Sequence, residues 1–182
     1  AEAVANRPAI TGRLRYSGMP GLNLTAAAQY QADITQGQRE TTNGGGFDTD
    51  ATLINFTADY RSGGAGLKAM YAQWDIDGGP AGQGAASVGK EEQWGYFIEP
   101  SYRWTVPGAN GDGTFGVFAR YYALDSAAGD NTDSEEQGVT VGFNYWIHPD
   151  VVLKMDYDEI NFDGEDDSQN EDRLNIGIGW QF

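Results

Sequence analysis

The chain has 182 residues, with 11 Lys and Arg against 27 Asp and Glu, a formal net charge of −16, 26 Gly, one His and no Cys. The absence of Cys excludes a disulfide scaffold, a thiolate metal centre and a cysteine nucleophile, and one His excludes a multi-histidine zinc site and leaves little for Ser-His catalysis. The acid excess argues against nucleic acid as a partner, and no apolar run approaches the ~18 residues of a membrane helix.

The chain opens Ala1-Glu-Ala-Val-Ala-Asn-Arg-Pro8, without the apolar stretch of a signal peptide. It reads either as a mature start after cleavage or as a point inside a longer chain. Apolar residues then recur with a period of two, the signature of half-buried strands. Ile10, Leu14 and Tyr16 oppose Thr11, Arg13 and Arg15, and Leu22, Leu24, Ala26, Ala28 and Tyr30 oppose Asn23, Thr25, Gln29 and Gln31. Ile54, Phe56, Ala58 and Tyr60 oppose Asn55, Thr57, Asp59 and Arg61, and Leu67, Ala69 and Tyr71 oppose Lys68, Met70 and Ala72. Trp94, Tyr96, Ile98, Pro100, Tyr102 and Trp104 oppose Gly95, Phe97, Glu99, Ser101 and Arg103, and Phe115, Val117, Ala119 and Tyr121 oppose Gly116, Phe118, Arg120 and Tyr122. The pattern is clearest at the end: Val139, Val141, Phe143, Tyr145 and Ile147, then Val151, Leu153, Met155 and Tyr157, then Leu174, Ile176, Ile178, Trp180 and Phe182. Their opposites include Thr140, Asn144 and Trp146, then Lys154, Asp156 and Asp158, then Arg173, Asn175 and Gln181.

This predicts nine strands of about 9–12 residues, the length of a tilted membrane strand rather than the ~5–6 of a soluble one. The connections alternate strictly. Ser17–Gly21, Ser62–Ala65, Pro107–Gly113 and His148–Asp150 are short, and Thr35–Asp50, Asp77–Glu92, Ser126–Glu136 and Asp163–Asp172 are long. Short turns at one rim and long loops at the other belong to a transmembrane β-barrel, so the expected fold is all-β and antiparallel, residues 1–182 being one barrel domain or the C-terminal portion of one.

The aromatic residues of the apolar face sort by strand end. Tyr16, Tyr60, Tyr102, Trp104, Phe115, Tyr145, Trp180 and Phe182 lie near the short turns, and Tyr30, Tyr71, Trp94, Tyr96, Tyr121 and Tyr157 near the long loops. Two such girdles are expected at the two lipid–water boundaries. The apolar face carries no charge in any of the nine segments, as a lipid-facing surface requires.

Eight of the 11 basic residues fall on the opposite face: Arg13, Arg15, Arg61, Lys68, Arg103, Arg120, Lys154 and Arg173. Asp59, Glu99, Asp156 and Asp158 share it. This excess of base over acid has two readings: ion pairs that satisfy the interior, or a lumen whose summed potential draws anions. The remaining acids crowd into the long loops, as at 130–136 and 163–172. Those loops are either a solvated rim or weak Ca²⁺ sites, although neither has EF-hand spacing. His148 sits in a tight His-Pro-Asp turn, and no second residue supplies a base for nucleophilic catalysis, so no enzyme is expected.

The stretch Asn144-Tyr-Trp-Ile-His-Pro-Asp-Val-Val-Leu-Lys-Met-Asp-Tyr157 resembles the penultimate hairpin of Gram-negative outer-membrane porins, nearest the phosphate-selective porin O/P-like group. Gly66–Asp75, Gly116–Tyr122 and Gln29–Gln36 are similar to strands upstream of it, and Asn175–Phe182 to the terminal strand with its final Phe. The resemblance implies an outer-membrane location, a sixteen-stranded barrel that is usually a homotrimer, no cofactor, and surrounding lipid and lipopolysaccharide as partners. It implies a water-filled channel for small hydrophilic or anionic solutes. This sequence would supply the C-terminal half of the barrel, and the N-terminal half, with its constriction loop, would be missing. Nine strands agree with that, because an odd number puts the two ends of the chain on opposite sides of the membrane. Two other readings fit the same strands: a small closed barrel with a filled interior serving adhesion, structure or an enzyme, and a soluble Ca²⁺-dependent β-sandwich binding module.

Overall fold

A computed structural model describes residues 8–34, 49–77, 85–107, 112–129, 134–162 and 170–181. The strands are β1 (Ala9–Tyr16), β2 (Leu22–Gln31), β3 (Ala51–Ser62), β4 (Ala65–Ile76), β5 (Glu92–Val106), β6 (Gly113–Asp125), β7 (Glu135–His148), β8 (Val151–Phe162) and β9 (Glu171–Trp180). They form one nine-stranded sheet in which each strand pairs antiparallel with its chain neighbours, in the order β1 to β9. The remaining regular element among the described residues is a single 3-10 turn, Ala85–Val88. Among the described residues β1 and β9 pair with nothing on their outer edges.

The sheet keeps one face throughout. Opposed residues in adjacent strands point the same way, so the alternation of each strand must stay in phase with its neighbours. It does: Tyr16 lies opposite Leu24, then follow Ala58, Ala69, Ile98, Tyr121 and Val139 in successive strands. That row starts at the short-turn end of β1 and reaches Glu159, near the long-loop end of β8. The strands are therefore staggered, as the tilted strands of a barrel wall are.

The sheet is a single layer with almost no core. Ala51, Ala123, Ala127 and Ile160 are its only buried apolar side chains among the described residues, whereas Leu14 and Ile176 are each 78% exposed. A contiguous apolar face of this size needs an apolar solvent.

The strands run further at the long-loop end than the periodicity suggests, β5 alone having 15 residues. Beyond the aromatic residues the outer face is therefore charged. Asp75 lies opposite Glu92, Asp125 opposite Glu135, and Glu159 opposite Asp172. A charge-free outer face thus holds for the shorter segments and ends at the rim, where the aqueous phase begins. At the other end of β7 a bulge between Trp146 and His148 takes Ile147 out of register.

The short turns are built from backbone. Gly21 has φ +82°, and a Cβ there would stand 2.0 Å from the Arg61 carbonyl oxygen. Its own carbonyl accepts a hydrogen bond from the Arg61 amide at 2.9 Å, which ties the β1–β2 turn to the end of β3. Only glycine tolerates both the conformation and the contact.

Candidate pore-lining face

The face opposite the apolar one carries every basic and acidic residue that the periodicity assigns to it. The register places Asn23 opposite Asp59, Asp59 opposite Lys68, and Lys68 opposite Glu99. It continues with Arg120 opposite Thr140, Thr140 opposite Asp158, and Asp158 opposite Arg173. Charges of alternating sign therefore stand side by side across the sheet, the arrangement in which cross-strand pairs attract.

Glu99 joins the two halves of this row. Its carboxylate accepts from Arg120 Nε at 3.0 Å and lies 3.4 Å from Lys68 Nζ. It is 6% exposed and buried, whereas Asp59, Asp156 and Asp158 on the same face are only half-buried. Burial of a charge is tolerable here because both oxygens meet a cation. The Arg120 guanidinium also lies 5.0 Å from the centre of the Phe97 ring, a cation–π contact that fixes its plane. Around this centre Asp158 accepts from Thr140 at 2.7 Å, Asp156 accepts from Asn175 at 2.8 Å, and Arg173 is paired with Glu171. Arg61 donates to Asp59 at 3.3 Å, and Arg15 donates to Asn23 at 2.7 Å.

Arg13, Arg103 and Lys154 have no ion pair among the described residues. Arg103 and Lys154 share a row: Arg103 lies opposite Gly116, Gly116 opposite Asn144, and Asn144 opposite Lys154. They line a hollow of about 450 Å³ together with Arg61, Lys68, Arg120, Glu99 and Asp156. Five cations and two carboxylates make this short-turn half of the face basic, within a chain that is −16 overall.

Periodicity puts Phe118, Tyr122 and Trp146 on this face but does not show what their rings cover. Tyr122 lies across Gly138, so that a Cβ there would stand 2.6 Å from its ring. Phe118 covers Gly142 at 2.8 Å, and Trp146 covers Gly116 at 3.2 Å, in the same sense. Each ring takes the space that a neighbouring side chain would fill and so lies flat along the wall. The sequence signal is a large aromatic with Gly directly across, as at Tyr122–Gly138 and Phe118–Gly142, or diagonally across, as at Trp146–Gly116, visible only once the register is known.

On the apolar face the aromatic residues gather at two levels. Trp104, Phe115, Phe143 and Tyr145 form a chain near the short turns, with ring centres 5.2 Å apart for Trp104–Phe115 and 5.3 Å for Phe115–Phe143. Tyr102 extends it at 5.9 Å from Trp104. Near the long loops Trp94 stacks on Tyr96 at 5.9 Å, and Tyr96 meets Tyr121 at 6.1 Å. Tyr16, Tyr60 and Trp180 lie at the short-turn ends of β1, β3 and β9, where they are 53%, 42% and 66% exposed. Phe182 lies outside the described residues.

Residues 2–165 match the family described as Gram-negative porin. The chain belongs to the Gram-negative porin family. Its place is therefore the bacterial outer membrane, as part of a channel protein rather than an enzyme. No curated protein matches the sequence. Among solved structures the porin chain is similar to the alcaligin outer-membrane receptor FauA from Bordetella pertussis, with 13% identity and a TM-score of 0.53. The match covers 96% of this chain and 33% of the receptor, so the chain spans about a third of that structure's length. The likeness is one of fold: staggered antiparallel strands of an outer-membrane barrel wall.

The porin's acidic loops are only partly within view. Residues 130–133 and 163–169, which carry much of the Ca²⁺ expectation, lie outside the described residues. Among the described residues no cluster of three or more His, Cys, Asp or Glu gathers around a point where a metal ion could sit. His148 Nδ1 lies 3.4 Å from Asp150 and accepts from its backbone amide at 3.3 Å, which closes the β7–β8 turn.

Proposed function

We propose that these strands form part of the wall of a water-filled channel for passive diffusion of small hydrophilic solutes, with a modest preference for anions. The observation that carries this reading is the division of one staggered sheet into an apolar face, bounded by a charged rim at the long loops, and a charged face, in phase across nine strands. The apolar face, with Tyr16, Tyr60, Trp104, Tyr145 and Trp180 at one boundary, meets lipid and, at the acidic rim, lipopolysaccharide. The charged face meets water. Electrodiffusion runs past Arg13, Arg15, Arg61, Lys68, Arg103, Arg120, Lys154 and Arg173, with Asp59, Glu99, Asp156 and Asp158 beside them.

Closure of the channel requires more strands than the sheet contains. Its outer edges at β1 and β9 are unpaired among the described residues, and around eight strands close only into an interior that side chains fill. We place the nine strands in the C-terminal half of a sixteen-stranded barrel of the phosphate-selective porin O/P-like kind, assembled as a homotrimer. The resemblance of the hairpin around His148 to porins of that group supports this, and residues 1–182 then act as one portion of a single barrel domain.

The test is the reversal potential of the intact porin in a planar bilayer under a KCl gradient. An anion-selective potential is expected. A cation-selective one removes the anion preference, and absence of any conductance removes the channel.

A further inference from the structure

The inner face carries two kinds of register row. In the row of Asp59, Lys68, Glu99, Arg120, Asp158 and Arg173, each charge stands beside its opposite, and the pairs at Glu99 are in contact. Four residues further along β5, the row of Arg103, Gly116, Asn144 and Lys154 holds two cations and no acid. Both cations are exposed and have no ion pair among the described residues. Between them Gly116 leaves space, and the edge of the Trp146 ring fills it at 3.2 Å from where a Cβ would stand. The Asn144 amide, half-buried, has no hydrogen-bond partner among the described residues.

We propose that Arg103, Asn144 and Lys154 form a subsite for a small dicarboxylate crossing the channel. The proposal rests on the channel reading and adds to it a place and a ligand class. Three strand spacings separate Arg103 from Lys154, about 14 Å between their Cα atoms, a gap that the two long side chains narrow from both ends. A solute with a carboxylate at each end meets the guanidinium with one and the ammonium with the other. Its carbon chain rests on Trp146, and the Asn144 amide donates to an oxygen between them. A monocarboxylate satisfies one cation and leaves the other unpaired. Asp156, which shares the hollow, is held by Asn175 at 2.8 Å and so is turned toward β9 rather than toward Lys154. Lys68 and Arg120 with their shared Glu99 leave about one positive charge on the hollow and the Asp156 carboxylate offsets about one, so the two free cations set its sign.

The intact porin in a planar bilayer tests this with succinate as the probe. Chloride conductance in KCl should fall saturably as succinate is added, whereas acetate at equal ionic strength gives no saturation. Arg103→Gln and Lys154→Gln should each raise the half-blocking succinate concentration about tenfold, the loss expected of one charge-assisted hydrogen bond. Arg13→Gln should lower the anion preference and leave the saturable component in place. Succinate dependence without saturation in the unaltered porin, equal block by acetate, or the same loss with Arg13→Gln would each overturn the subsite and leave the channel standing. Channels that conduct no ions would instead overturn the reading on which it rests. Heat-modifiable mobility of each variant on a gel separates loss of block from loss of the barrel.

Discussion

Glu99→Gln tests whether charge pairing on the inner face controls the selectivity of the channel. Glu99 bridges Lys68 at 3.4 Å and Arg120 at 3.0 Å, with 6% exposure. The amide keeps the shape and one acceptor but removes the negative charge, leaving two neighbouring cations uncompensated. A unit charge acts on an ion about 8 Å away with about 0.5 kcal/mol in bulk water, and ~0.1 M salt reduces that to about half. The barrier falls by this amount for an anion and rises by it for a cation, so the permeability ratio shifts about twofold toward anions. The low-dielectric wall of a narrow pore increases the shift. The assay is the reversal potential under a KCl gradient, with Arg120→Gln as the opposite perturbation, expected to move it toward cations by a similar amount. An unchanged potential in both variants would refute the idea that these side chains face the conduction path. Movement of both variants in the same direction would refute the charge argument itself.

Three further outcomes follow from the geometry. Ile98→Lys puts a charge on the apolar face at mid-strand and should cost about 2–4 kcal/mol of membrane stability, seen as loss of the folded band after refolding into vesicles, whereas Thr57→Lys on the inner face should refold normally. Gly21→Ala must adopt a left-handed φ of +82° with its Cβ 2.0 Å from the Arg61 carbonyl oxygen; at least about 1–3 kcal/mol is lost, read as a lower temperature for the heat-modifiable gel shift. Gly138→Ala displaces the Tyr122 ring, which lies 2.6 Å from the new Cβ, and because a ring can swing away more cheaply than backbone can move, the expected result is a lower single-channel conductance with little change in stability.

The faces of the strands were legible in the sequence because period-two alternation is local. Arg173 and Leu174, or Lys154 and Leu153, separate to opposite faces whatever their neighbours do. The rows across the sheet were legible only in part. The Gly63–Gly64 turn is so short that Asp59 must come opposite Lys68. The next link, Lys68 to Glu99, crosses the long connection between β4 and β5, and nothing in its composition fixes how far β5 slides. A slip of two residues preserves every face and removes the Glu99 bridge. The same limit hid which glycines the rings of Tyr122, Phe118 and Trp146 cover, since each contact depends on the cross-strand register. The charged rim at Asp75, Glu92 and Asp125 was missed for a different reason: loss of apolar alternation marks the end of the lipid phase, and the hydrogen-bonded strand runs on past it.

This separation between local and cross-strand information bears on what the inner face can do. Counting its cations and acids from the sequence gives a basic wall, but an ion in the lumen responds to the field, and a cation held against a carboxylate contributes a dipole rather than a charge. Lys68 and Arg120 share one carboxylate, so that group retains about one positive charge; Arg61 with Asp59 and Arg173 with Glu171 retain none. The unpaired cations that remain are Arg13 and Arg15 on β1 and the row of Arg103 and Lys154, and it is this row that lines the hollow toward the short turns. An anion entering past the acidic loops meets repulsion at the rim, a nearly neutral wall at the Glu99 row, and attraction only beyond it. Such a profile makes the preference for anions depend on ionic strength at the rim, where the acids are exposed and screened, more than at the inner row, where the cations share a hollow. Raising salt should weaken the repulsion first, so the anion preference should rise between low and moderate salt before falling at high salt.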